Sequence, residues 1–515
     1  MIEGDTSLKN LVSVSNVVIL TVVVAFSLLL KGVSLHTTLR NLVIGPHDRV
    51  AGSKGVRRIP GPAYKWPFGQ LEDKFLRGRK KGQEWQALYG DIYRIWSGDQ
   101  LEVVLTRWQD AAVFYRDAHQ HIKPRDSDGG WLFRSILGFG YVNILCFISE
   151  GQWRRLRGHF DPHFSFASIS TFVPDVICDG DEYVKQLLPN PAQISRDFHV
   201  GNDFKMFGFF LVAKLLFGEL DVKQKKALEE LIDMHSDIFK LIFNDVTSMI
   251  PAARHLPFLR TNRALKKFHH HWLQFNHDAY AKVKGDTNYP ITHLWQAMEN
   301  GSMSEKELLN TVDESLFANV DVSASAVAWS ILLTCTLSAH QARLRTEIAE
   351  NAHDVDGYVR RTDTYLHRTL LETLRVRPVA SLIAPESATV DKVLDDGHVI
   401  PSGVKVITDV VAVNVRDPFW GADAELFLPD RFETLAGEDV RRHLFTFGFG
   451  PRQCLGKYLA DKMIKTLLVY MFGRFEGETL PGGKDADDEW KVKVDTFVQL
   501  PDAYVRLTRL NKPLV

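Results

Sequence analysis

The sequence predicts a mainly α-helical protein with a small β region, preceded by a single N-terminal transmembrane helix. Three observations carry that prediction. Long stretches show helical periodicity, among them 204–217, 223–243, 304–337, 365–375 and 457–472. β-Prone runs are few and short, the clearest lying in 91–106. Residues 11–30 contain no charged side chain, and as a helix they would run about 30 Å, the thickness of a bilayer's hydrocarbon core.

Composition narrows the class of function. The 515 residues carry a net charge of −1, so no basic footprint for nucleic acid is present. The four cysteines, Cys146, Cys178, Cys335 and Cys454, form no Cys-x-x-Cys pair, which argues against a zinc ribbon or a dithiol redox site. So few cysteines in so long a chain point to a reducing compartment. Hydrophobic residues make up 45%, ample for a large core.

The N-terminal stretch reads as an anchor, with the tail and membrane helix at 1–31. A cleaved signal peptide needs a basic leader and a small-x-small site. This leader carries Glu3 and Asp5 against Lys9, and positive charges follow the span, from Lys31 and Arg40 to Arg57 and Arg58. The positive-inside rule then places the bulk of the chain in the cytosol. A linker follows at 32–70, stiffened by Ile59-Pro60-Gly61-Pro62 and Trp66-Pro67 because proline fixes φ and restrains its predecessor. Residues 71–515 form one large domain.

Within that domain, Ser97-Gly98-Asp99 turns the chain between two β-prone runs, a hairpin. A short helix is expected over 108–116 and a loop over 121–145. In 152–159, Trp153 and Arg157 stand four apart and share a helix face. The proline-broken, apolar 249–259 is equally a packed loop or a segment dipping into lipid. His269-His270-His271 cannot converge on one ion, because consecutive helical residues point about 100° apart. The long helix over 304–337 opens with Ser304-Glu305-Lys306-Glu307, a capping box. Glu372 and Arg375 meet at i, i+3, and Arg377-Pro378 ends their helix.

The stretch Phe447-Gly448-Phe449-Gly450-Pro451-Arg452-Gln453-Cys454-Leu455-Gly456 sets one cysteine in a glycine-punctuated loop ahead of a helical pattern. Glycines there let the backbone turn sharply or approach something flat and large. The pattern Phe-x-x-Gly-x-Arg-x-Cys-x-Gly resembles the haem-ligand loop of the cytochrome P-450 family. Trp153-x-x-x-Arg157 is similar to that family's propionate-binding helix. Glu372-x-x-Arg375 and Phe427-Leu428-Pro429-Asp430-Arg431-Phe432 match its Glu-Arg-Arg triad. The resemblances run in the family's order across nearly the whole chain.

The resemblance implies the P-450 fold and a haem b cofactor, with Cys454 as metal ligand. It implies cofactor contacts from Arg452, Phe447, Gly450, Gly456, Trp153 and Arg157, and a structural triad of Glu372, Arg375 and Arg431. Pocket-lining residues would be Ala318, Val322, Val379, Ala380, Leu382 and Phe497. Where many members carry a propionate-binding arginine this chain reads Pro385-Glu386, so no residue is nominated there. The central helix reads Ala318-Asn319-Val320-Asp321-Val322-Ser323 against the usual Ala/Gly-Gly-x-Asp/Glu-Thr-Thr/Ser, and Val322 removes the hydroxyl expected beside dioxygen. Asp321, Ser323 and Asn319 are the catalytic candidates. Ser323, about 100° round the helix from Val322, is not expected to point the same way without distortion.

The implied reaction inserts one oxygen atom from O2 into a lipophilic small molecule; the overall pattern resembles eukaryotic microsomal members, including fungal natural-product oxidases. Electrons would come from NADPH through a separate NADPH–cytochrome P-450 reductase, and the enzyme would be a monomer on the endoplasmic reticulum membrane. The alternative is a haem–thiolate isomerase, dehydratase or ring-coupling enzyme that needs no threonine relay.

Overall fold

The computed structural model describes residues 49–52, 55–98, 100–122, 131–132, 135, 150–382, 385–450, 453–493, 496 and 498–515. The expected anchor at 11–30, Arg452 and Phe497 lie outside them. The described part is mainly helical with three small sheets, as expected.

The hairpin forms where Ser97 and Gly98 predict it. Strands β3 (Ile92–Ser97) and β4 (Gln100–Leu105) pair antiparallel, with Ile92 opposite Leu105. β4 continues in parallel with β9 (Lys405–Thr408), and β6 (Glu386–Ser387) closes that sheet. The stretch expected as linker itself carries a hairpin, β1 (Arg49–Gly52) and β2 (Gly55–Arg58), joined to β8 (Val399–Ile400) and β7 (Lys392–Val393). The third sheet orders β10 (Phe475–Thr479), β11 (Tyr504–Arg509) and β5 (Ser195–His199).

Helix α1 (Trp108–Tyr115) matches its expected range to one residue. It is followed by α2 (Glu150–Phe164), α3 (Phe166–Leu187), α4 (Lys205–Phe217), α5 (Val222–Asn244) and α6 (Arg260–Val283). The central helix departs from expectation. It divides into α7 (Glu305–Phe317) and α8 (Asn319–Thr336), with a turn at Ala318. Its start is the predicted capping box: Glu307 N–H donates to Ser304 Oγ at 3.2 Å, and Ser304 N–H to Glu307 Oε2 at 2.8 Å.

The division has a local cause. Thr311 and Ser315 hydroxyls donate back to the carbonyls of Glu307 (2.6 Å) and Thr311 (2.8 Å), and the Asn319 amide donates to the Ser315 carbonyl. Such i→i−4 side-chain bonds compete with the helical ladder and bend it. Helices α9 (Tyr365–Val376) and α10 (Lys457–Arg474) complete the frame. Among the described residues, one helical run is long and apolar enough to cross a bilayer, Glu305–Thr336, and most of it is buried inside the protein.

Buried apolar residues of α3, α4, α7, α8, α9 and α10 form one continuous core. Close approach of α4 to α8 depends on Gly208. A Cβ there would lie 2.9 Å from both Ser323 Cβ and Met463 Sδ, contacts that real side chains do not tolerate.

Candidate active site

Cys454 sits in the loop that enters α10. Its N–H donates to the Phe447 carbonyl at 2.8 Å, and Gln453 N–H to the Gly450 carbonyl at 3.2 Å. Gly448 and Gly450 adopt φ of 79° and 67°, a left-handed conformation that costs residues with a Cβ energy but not glycine. Gly456 has a different use: a Cβ built on it would meet nothing within 4 Å, because the residue lines an open cavity. Burial pushes the Cys454 thiol up, while the Gly456 N–H, Arg157 and Lys457 pull the other way.

That cavity lies between the cysteine loop and α8. Its larger lobe, of about 380 Å³, is lined by Cys454, Phe447, Gly448, Val322, Val379 and Ala380 among others. A smaller lobe of about 140 Å³ shares Cys454, Asn319, Val322 and Ser323 and adds Ala318 and Glu314. The larger lobe falls within the range typical of small-molecule sites.

Helix geometry decides which candidate side chains meet here. Asn319, Val322, Ser323 and Ala326 recur at i, i+3, i+4 and i+7, and all four line the larger lobe. Ser323 therefore faces the cavity with Val322, contrary to the sequence expectation, because the lobe is wide enough to admit adjacent positions of the helix. Its hydroxyl donates to Asn319 Oδ1 at 3.3 Å. Asp321 is a correction to the expected acid–alcohol pair. Its carboxylate turns to the opposite face of α8, pairs with Lys205 Nζ at 2.8 Å, and lines a separate polar cleft with His235 and Lys493.

The loop is braced from behind. Arg375 donates through Nε to Glu372 Oε2 (2.6 Å) and through Nη2 to Oε1 (2.8 Å), and both residues are 0% exposed. Arg375 Nη1 also reaches the Asn414 carbonyl at 3.0 Å. Glu372 Oε1 accepts from Leu428 N–H (2.9 Å) and Arg431 Nε (3.4 Å). Arg431 in turn holds the Trp420 carbonyl and Asp423, each at 2.8 Å. The three triad residues thus meet around one carboxylate.

Asn414, in a π-helical turn (Ala412–Arg416), was not singled out by sequence. Its Nδ2 donates to the Phe445 carbonyl at 2.9 Å, and its Oδ1 accepts from Phe445 N–H at 2.7 Å. This two-sided clamp fixes the chain two residues before Phe447. Asn414→Ala leaves both buried Phe445 groups unpaired and should cost about 1–3 kcal/mol per group left unsatisfied. Denaturant unfolding of the purified protein measures that loss.

Arg157 lies beside the cysteine loop. Its Nη2 donates to the Gln453 carbonyl at 3.2 Å, its Nε pairs with Asp161, and its Cζ lies 6.0 Å from the Trp153 ring. Its Nη1 is buried without a partner, and a buried guanidinium donor demands an acceptor. An open lobe walled by Gly448, Gly456 and Ala380, a cysteine on it and an orphan cationic donor beside it fit the anionic, planar haem implied by the sequence. Glu386, at the position where no residue was nominated, lines the same lobe with Tyr115 and pairs with His121 Nδ1 at 2.8 Å. Leu382 is a further correction. It packs away from the cavity into a separate apolar cluster with Trp85, Tyr93 and Ile407. Val379 and Ala380 do line the cavity, and so does Val498. His269 and His271 bond to different carbonyls, those of Ser135 and Lys267.

Comparison with known proteins agrees with this geometry. The family model for cytochrome P450 matches residues 60–504. The chain is 32% identical to "Cytochrome P450 monooxygenase aclC" of Aspergillus oryzae over 454 residues, covering 88% of this chain and 92% of that protein. It is 33% identical to "Cytochrome P450 monooxygenase gliC" of Aspergillus fumigatus over 483 residues, 91% of each. It is 34% identical to "Cytochrome P450 monooxygenase verC" of Clonostachys rogersoniana over 462 residues, 88% and 89% of the two chains.

Proposed function

This chain is a member of the cytochrome P450 family, and from that premise we propose a haem–thiolate monooxygenase that oxidises a lipophilic small molecule with O2. The observation that carries the proposal is Cys454 on the wall of a mainly apolar cavity, facing α8. When bound, haem held through the Cys454 thiolate would supply the chemistry of O–O bond cleavage, which a thiolate ligand favours. The fungal origin of the relatives above supports a secondary-metabolite intermediate as substrate.

The chain's own residues then divide the work. The Phe447–Cys454 hydrogen bond and the two left-handed glycines hold the sulfur in place. Arg157 and Trp153 would hold a haem propionate, with the backbone at Gly450 and Gly456 completing the cradle. Asn319 and Ser323, hydrogen-bonded to each other on the cavity wall, take the place of the missing threonine as the polar groups that would hold water through which protons enter the cavity. Asp321 pairs with Lys205 at the polar cleft on the far face of α8, outside the cavity, and takes no part in this exchange.

Residues 11–30 anchor the enzyme in the endoplasmic reticulum membrane with the catalytic domain in the cytosol, in reach of NADPH–cytochrome P450 reductase. Support comes from their lack of charge and the basic flank that follows. The apolar 249–259 stretch leaves Ile250, Leu256 and Phe258 exposed, which suits contact with lipid.

Product formation in a reconstituted membrane system tests the reaction. Turnover should require NADPH, reductase and O2; turnover without them would favour the isomerase or dehydratase chemistry. Ser323→Ala and Asn319→Leu should lower product formed per NADPH by about a hundredfold, the low end of the range for lost general acid–base catalysis, while NADPH oxidation continues. An unchanged ratio in both variants would remove these residues from proton delivery.

A further inference from the structure

We propose that α6 and the turn before it dock on an anionic lipid surface, with Arg254, Arg260, Arg263, Lys266 and Lys267 taking acidic headgroups. The inference rests on the reading of 249–259 as a lipid-facing stretch and goes beyond it by naming the headgroup charge that the protein selects and the residues that select it.

Residues 246–277 contain no aspartate or glutamate, although acidic residues balance basic ones over the whole chain, 63 against 62. The lysines and arginines of that stretch are Arg254, Arg260, Arg263, Lys266 and Lys267, and all of them are exposed. Among the described residues, none of them forms an ion pair with a carboxylate. Exposed cations elsewhere on the surface do. Arg506 pairs with Asp197 at 2.7 Å, Arg361 with Asp363 at 3.0 Å and Lys185 with Asp181 at 2.7 Å. An unanswered local excess of one sign of charge creates a field that draws in the opposite sign.

These cations adjoin the exposed apolar side chains Ile250, Leu256 and Phe258. Asn262 Nδ2 donates to the carbonyls of Ala253 and Leu256, each at 2.8 Å, which fastens the Pro251–His255 turn to the first turn of α6. Arg254, Leu256 and Phe258 are thereby held beside the start of α6. Along that helix Arg260, Arg263 and Lys267 follow at i, i+3 and i+7, one stripe, on the side away from the buried Thr261, Phe268 and Trp272. Apolar side chains edged by lysines and arginines suit a bilayer interface, where the apolar groups enter the acyl boundary and the cations stay among the headgroups. Acidic headgroups supply the counter-charge that the fold withholds. Each lysine or arginine brought to such a surface strengthens attachment about fivefold, and an arginine fork matches a phosphate with two hydrogen bonds.

Chemical footprinting of the full-length holoenzyme in lipid nanodiscs tests this. One set of discs holds phosphatidylcholine alone; the other adds phosphatidylserine. Acetylation by the neutral reagent N-acetoxysuccinimide reads Lys266 and Lys267 against Lys223, an exposed lysine outside the stretch. Relative to Lys223, both should react about fivefold or more slowly in the phosphatidylserine discs, and high salt should restore the rate by screening. The triple variant Arg254→Gln, Arg260→Gln, Arg263→Gln keeps both reporter lysines and should lose most of that protection, with the reduced carbon monoxide band unchanged. Arg263→Gln alone should lose part of it, which keeps the test open if the triple variant fails to fold. Hydroxyl-radical labelling checks the reading beneath the proposal. Phe258 and Phe166 are 67% and 61% exposed, and in discs of either composition Phe258 should react far more slowly. Equal labelling of the two overturns the lipid-facing reading and the proposal with it. A protected Phe258, with Lys266 and Lys267 equally reactive in both discs, overturns the headgroup assignment alone. So does protection that survives in the variants, and so does protection that appears only when reductase is added, which would make this a protein-docking face.

Discussion

Replacing Cys454 with serine abolishes the reduced carbon monoxide band that marks thiolate ligation, and turnover falls to background. The effect is the largest expected of any single change, because the thiolate supplies the electronic push toward O–O cleavage and a serine hydroxyl does not. The substitution alters one atom. The Cys454 N–H to Phe447 carbonyl bond and the Gln453 N–H to Gly450 carbonyl bond are made by the backbone, so the loop keeps its course. Circular dichroism and denaturant unfolding should therefore match the wild type closely, separating lost ligation from lost fold. A Cys454→Ser protein that retained the band would refute the assignment of the ligand.

Glu372→Ala destabilises the protein by about 3–5 kcal/mol, the cost of leaving a buried charge without its partner. Arg375 and Glu372 are both 0% exposed, and two of the guanidinium's donors end on this carboxylate. The alanine also removes the acceptor for Leu428 N–H and Arg431. Through Arg375 and Asn414 the loss reaches Phe445, so haem retention should fall along with stability. Glu372→Asp shortens the side chain and should recover only part of both. Thermal unfolding and haem content, measured on the same preparations, check the pair. An alanine variant as stable as the wild type would show that the triad contributes no net stability.

The two results would probe features of different legibility. Cys454 was readable because its signal is local: glycines, an arginine and a cysteine at fixed spacing within one loop. Glu372 and Arg375 were readable as a pair from their i, i+3 spacing, but a surface ion pair has the same spacing. Only the resemblance to the family's Glu-Arg-Arg triad implied their burial, and the structure shows it with Arg431, Asn414 and Leu426 around them. The roles of Asn414 and Gly208 were not legible in the sequence. Each acts on a partner far along the chain, Phe445 for one and Ser323 for the other, and a single sequence shows no such pairing.

The central helix shows the boundary most sharply. Its helical period and capping box determined that the segment over 304–337 is helical and where it begins, since both depend on neighbours three or four residues away. Tertiary structure decided which face meets the cavity. It placed Ser323 with Asn319 on the cysteine side, turned Asp321 outward to Lys205, brought Glu314 inward, and sent Leu382 to another cluster. A side chain's direction follows from the helix phase relative to the elements packed around it, and that phase is set by long-range contacts such as Gly208 against Ser323, not by the local order of residues.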